Sequence, residues 1–142
     1  MPVFQHRMTP LRHITLVLLA WPLLHGCVKE PGIGGRAEIH GRVMEQHHND
    51  AGEPQGDPYP LPDKRVYIVY GDNTGVDDDV RTGPDGRFRF PWLRKGSYRV
   101  YTISECQVNY DCLSGTYQVS REAELSGRTE IMDIGDLKIE NW

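Results

Sequence analysis

The chain has no apolar run long enough to cross a bilayer as a helix. Its longest, Ile14 to Leu24, has eleven residues and is interrupted only by Thr15 and Pro22, whereas a span needs about 20. Acidic residues are missing from the first 27 positions; all 20 of them follow Cys27, against 14 of the 16 Lys and Arg. The remainder therefore carries 14 − 20, or −6, and that balance excludes the basic surface a nucleic-acid binder needs. Helical periodicity is missing too, since no stretch repeats apolar residues at three and four. Cysteine is scarce, with three in 142 residues. Nucleophilic catalysis has no motif: Ser114-Gly115 lacks the Gly-x-Ser lead of a nucleophile elbow. Carboxylates are numerous but show no directed pair of the glycosidase type.

What is present begins with an export signal. Arg7 and Arg12, with His6 and His13, precede the Ile14–Leu24 run, the order of a signal peptide's basic and apolar regions. The segment ends in Leu24-His25-Gly26-Cys27, which resembles the lipobox of bacterial lipoproteins, with His25 departing from its usual small or aliphatic choice. The resemblance implies cleavage after Gly26 and acylation of Cys27 on both its sulfur and its new amine. Two attachments suit stable anchoring, since one acyl chain binds membranes only marginally. The alternatives are an ordinary cleaved signal with a chance cysteine, or a buried N-terminal helix. The expected organisation is a signal peptide at 1–26, a lipid anchor and Gly/Pro-containing tether at 27–35, and one domain at 36–142. Val28 rather than aspartate after the anchor cysteine fits outer-membrane sorting in some bacteria.

With Cys27 lipidated, Cys106 and Cys112 remain as an even pair in an exported domain, where thiols oxidise. A disulfide closing that seven-residue loop would contribute about 2 kcal/mol in the chain-entropy model. Two reduced thiols, or a metal site helped by Asn109 and Asp111, are the alternatives.

From Arg36 onward the pattern alternates at period two. Ala37, Ile39, Gly41 and Val43 share one face of a first strand, and Glu38, His40 and Arg42 the other. Residues 46–63 form a polar connection with four prolines in nine residues, which forbids helix. Arg65 to Gly71 is apolar or aromatic on both faces and is expected to be a central strand. After an acidic loop at 72–80 and a short strand at 80–82, Pro84-Asp85-Gly86 makes a turn. Phe88 and Phe90 then point inward, Pro91 to Gly96 turns the chain, and Ser97 to Ser104 is another strand. Weaker strands follow at 115–121 and 128–139, with Ile131, Ile134, Leu137 and Ile139 as the late apolar positions and a bulge expected near Gly135.

The predicted fold class is all-β: a small seven-stranded Ig/transthyretin-like β-sandwich after the signal. Gly41-x-Val43, Pro60-Leu61-Pro62-Asp63 before Val66-x-Ile68, and Gly86-x-Phe88-x-Phe90-x-x-Leu93-x-x-Gly96-x-Tyr98-x-Val100 resemble the carboxypeptidase regulatory-like domain, close to Cna-B-type modules. That resemblance covers roughly residues 37–104 and implies a fold, with Phe88, Phe90, Leu93 and Tyr98 filling it. It also implies a non-catalytic role.

The departures from that pattern are the 46–63 connection, the acidic 72–79 loop and the Cys106–Cys112 loop, and function is expected there, because loops on a rigid scaffold carry specificity. Trp92, Tyr59 and Tyr110 are the candidate ligand contacts, offering aromatic faces to a sugar or protein. Asp72, Asp77 and Asp79, with Asp78 and Asp85, are the calcium candidates, and the EF-type spacing fails because the fifth position from Asp77 is Arg81. His40, His47 and His48 are placed as structural residues, since adjacent histidines on an extended segment point apart. No cofactor or metal is expected. The expected partners are the membrane, through the anchor, and an envelope protein or glycan, with the chain itself a monomer. A purely structural envelope lipoprotein, or an accessory subunit of an envelope enzyme or transport system, is the alternative.

Overall fold

The computed structural model describes residues 29–107 and 113–142. Among them are eight strands and no helix: β1 (Ile33–His47), β2 (Tyr59–Pro60), β3 (Arg65–Tyr70), β4 (Asp78–Arg81), β5 (Arg87–Leu93), β6 (Gly96–Glu105), β7 (Thr116–Leu125) and β8 (Ile131–Asn141). They form two sheets. In the first, β1 is flanked on one edge by β5 and then β2, both antiparallel, and on the other by β8, which runs parallel to it. The second is antiparallel in the order β4-β3-β6-β7.

Alternation builds both inner faces. Ala37, Ile39 and Val43 of β1, Phe88, Phe90 and Leu93 of β5, and Leu137 and Ile139 of β8 are buried. They meet Val66, Ile68, Tyr98, Val100, Ala123 and Leu125 of the second sheet in one core, which is the packing of a β-sandwich. Tyr98, 1% exposed, keeps its hydroxyl satisfied at the rim. It accepts a hydrogen bond from the Gly32 amide at 2.9 Å and donates to the Arg94 carbonyl at 2.7 Å. β3 is central, as its two apolar faces predict, and its outward Tyr67 stacks on Tyr101 at 5.0 Å between centroids.

Four expectations are corrected. The count is eight strands rather than seven, because Tyr59–Pro60 in the proline-rich connection pairs with Met44 and Glu45. Proline is tolerated there because β2 is a two-residue edge strand. Residues 32–35 belong to the sandwich instead of the tether. β1 starts at Ile33, Gly32 is held by Tyr98, and Pro31 lies so close that a Cβ on Gly96 would come within 2.5 Å of it. β5 continues through Pro91 and Trp92, where a turn is expected from the sequence. Ile131, expected among the late apolar interior positions, is 66% exposed on β8.

The expected bulge is present. His40 pairs with Asp133 and Arg42 with Asp136, so β8 spends an extra residue there, with Gly135 at φ 74°. Asp133 accepts the Gly135 amide at 2.8 Å. The Pro84-Asp85-Gly86 turn also forms: the Gly86 amide donates to Gly83 at 2.9 Å, and φ is 73°.

Candidate functional site

Trp92 is the outlier of the fold. It is 64% exposed and has φ 62°, in the left-handed region that a bulky residue enters only at a cost. The register explains how it gets there. Ala37 pairs with Leu93 and Ile39 with Phe90, so β5 uses three steps where β1 uses two. Pro91 and Trp92 together stand opposite Glu38 in a bulge, a device that re-aims a side chain.

Further along, the outward residues of the same sheet line up across three strands. His40 faces Arg89 of β5 on one side and Asp133 of β8 on the other. Its Nδ1 lies 3.6 Å from Glu38 Oε1 and its Nε2 3.5 Å from Asp133 Oδ2, while Arg89 reaches Glu38 at 3.6 Å. One row on, Arg42 faces Arg87 and Asp136. Arg42 donates from Nε and Nη2 to the two Asp136 oxygens, each at 3.0 Å. This bidentate pair holds the Asp136 carboxyl below its ordinary value, chiefly through the hydrogen bond from Arg42, and raises the guanidinium. Arg87 turns to Asp85 at 3.4 Å. Arg87 and Arg89 also line an open groove of about 430 Å³ between the β5 edge and β4, shared with Arg81 and Val80.

Of the three proposed aromatic contacts, the two that lie among the described residues, Trp92 and Tyr59, are not brought together. Trp92 stands opposite Glu38, but Tyr59 pairs with Glu45, seven residues along β1 and roughly 23 Å away at 3.3 Å per residue. Tyr59 is committed to structure: its hydroxyl donates to the carboxylate of Glu45, 7% exposed, which also accepts from Asn141 at 3.2 Å. That bond to Glu45 raises the Tyr59 pKa. Tyr110 lies outside the described residues, as do Cys112 and Cys27, the expected anchor. Cys106 is buried at the end of β6.

The acidic loop serves its own backbone. Asp77 accepts from the Tyr70 amide at 2.7 Å and from the Asn73 side chain at 2.8 Å. Asp79 pairs with Arg65 at 3.6 Å, and Asp72 takes no part in either contact. No group of three or more metal-capable side chains occurs among the described residues. His48 stacks on Trp142 at 4.1 Å, with Nδ1 3.1 Å from Glu140 Oε2, a packed role at the other end of the sheet.

Sequence reasoning placed Glu38, His40 and Arg42 on one face and took His40 as structural, but did not single out Glu38, Arg42, Asp133 or Asp136. The available signal was alternation. What it could not supply was β8 as the neighbouring strand.

Comparison with protein-family models finds no match, and comparison with curated proteins finds none either. Among solved structures, the chain is similar to a Pseudomonas aeruginosa protein described as a "putative carbohydrate binding protein". The two are 14% identical over 78% of this chain and 91% of that one, with a TM-score of 0.42. At that score the likeness assigns neither fold nor function here.

Proposed function

We propose that the protein is a lipid-tethered, monomeric module of the bacterial cell envelope whose β-sandwich binds a partner and catalyses no reaction. The observation that carries this reading is Trp92: a large aromatic side chain, 64% exposed, held out on left-handed backbone. Such conformations cost of order 1–3 kcal/mol and cluster at ligand sites. An aromatic ring kept in water at that cost has its use in contact with something else. The motif from Gly86 to Val100 supports a transthyretin-like sandwich of the carboxypeptidase regulatory-like kind, whose role there is accessory. The Leu24–Cys27 motif supports the anchor at Cys27 in the outer membrane, and the even cysteine count supports a Cys106–Cys112 disulfide.

Affinity capture from envelope extracts and a glycan array, run with the full chain and with Trp92→Ala, test the binding role. A signal lost in the variant is expected; a signal indifferent to Trp92 would remove the reading. Mass spectrometry of the membrane-extracted protein tests the address. It should show an acylated Cys27 at the N-terminus and a 106–112 disulfide. An N-terminus upstream of residue 27 would overturn the anchor.

A further inference from the structure

The outward face of the β5-β1-β8 layer presents exposed Trp92 and Ile131 on either side of Glu38 and a run of polar and charged groups beyond, whose arginines are already paired with carboxylates. Arg42 is held by Asp136 through two bonds, Arg89 by Glu38, and His40 stands between Glu38 and Asp133. An anionic ligand approaching the arginines meets the repulsion of the carboxylates beside them, and a cationic one approaching the acids meets that of the guanidiniums. A ligand rich in hydroxyls meets neither. A guanidinium has five N–H donors and a carboxylate about four acceptor positions, and Arg42 spends two donors on Asp136. Donors and acceptors thus alternate across the face with capacity left over on both.

At one end of this face stands Trp92, opposite Glu38. The flat, partly apolar face of an uncharged pyranose stacks on an indole while its hydroxyls reach the polar groups beside it. Three strands about 4.8 Å apart, and three outward rows two residues apart, make a patch of about 10 by 13 Å. That is an oligosaccharide's footprint rather than a monosaccharide's.

We infer that the β5-β1-β8 face binds a neutral polysaccharide, with Trp92 as the stacking platform and Glu38, His40, Arg42 and Asp133 as the hydroxyl-reading groups. This rests on the binding-module reading above and adds the ligand's chemistry to it. The face selects against charged polymers because its own ions are paired, not because it lacks them. Glu38 holds the arrangement at the tryptophan end, since both Arg89 and His40 turn to it.

The test is retention of the full-length, detergent-extracted protein on a panel of neutral polysaccharides and on carboxymethylated forms of the same polymers. Binding to at least one neutral polymer is expected. It should weaken tenfold or more in Trp92→Ala and several-fold in Glu38→Gln. It should also change less than about twofold between about 0.01 and about 1 M salt, over which the Debye length falls from about 30 to 3 Å. Trp92 is exposed, so its variant keeps the core; a thermal melt of both variants checks this. Trp92-dependent binding confined to the carboxymethylated forms and abolished by salt would overturn the neutral assignment and leave the binding module standing. Trp92-dependent capture of an envelope protein with no polysaccharide retained would do the same. No Trp92-dependent binding of any kind would remove both.

Discussion

Trp92 concentrates two opposed demands in one residue. Its side chain contributes little to the core at 64% exposure, while its backbone at φ 62° carries strain that glycine would not feel. Trp92→Gly should therefore cost the domain nothing and raise its stability by up to about 1 kcal/mol, the left-handed penalty relieved less the added freedom of the unfolded chain. A denaturant titration measures it, and a loss above about 1 kcal/mol would mean that the indole packs as a structural group. The same variant should lose partner binding. That pairing of gained stability with lost function is what a residue kept for contact should give, as strained sites elsewhere do.

At the scale of elements, β1 is the axis on which the first sheet is built, and its start is unusually tight. A Cβ on Gly35 would sit 1.8 Å from the Leu93 carbonyl oxygen and 2.4 Å from its carbon. These are backbone atoms of the bulged strand and cannot swing aside. Gly35→Ala should detach the beginning of β1 from β5, with a loss of about 2 kcal/mol or more and faster amide exchange over residues 33–39. Gly75→Ala, where a Cβ meets open space, is the control and should be neutral. The turn between β7 and β8 depends on Glu130 instead. Its carboxylate accepts the Gly127 amide at 2.7 Å and the Ser126 amide at 2.9 Å, and the Gly127 bond chiefly lowers its pKa from 4.5. A depressed carboxylate stabilises above its unfolded pKa, and that contribution is lost as pH falls through the folded value. The melting-temperature gap between wild type and Glu130→Gln should thus be constant above about pH 5 and close below it. A gap unchanged down to pH 2 would assign the turn's stability to something other than the ionised carboxylate.

For the whole molecule, the tyrosines at the rim between the two sheets set a limit on the alkaline side. Burial, then the nearby Asp78 and Asp77, push the Tyr70 pKa from 10.0 to about 12. Burial raises that of Tyr98 as well. For a phenol the raised value favours the neutral form in the folded state. The contribution is therefore complete below pH 10 and is lost as pH rises towards 12. Stability should be level up to about pH 10 and fall beyond it, and Tyr70→Phe should lessen the fall. Equal alkaline limbs in wild type and variant would refute this. Tyr98 also links residue to element, because its hydroxyl fastens Gly32 and Arg94 to the core just ahead of β1.

Much of this architecture is legible from the sequence because it depends on neighbours along the chain. Period-two alternation set which faces of Ala37–Val43, Phe88–Phe90 and Tyr98–Thr102 are buried. Gly86 and Gly135 marked a turn and a bulge through backbone freedom alone, and Trp92 stood out as a large aromatic after a proline. What the sequence did not determine is which strands lie side by side. Parallel pairing of β1 with β8 joins residues more than 90 positions apart, as in Arg42 with Asp136, and no local pattern specifies that choice. The two-residue strand at Tyr59–Pro60 is fixed only by the edge of β1 beside it. Left-handed backbone at Trp92 comes from the register with Glu38, which a propensity cannot state. Alternation is local chemistry and survives in one dimension; a face assembled from three strands exists only once the sheet has formed.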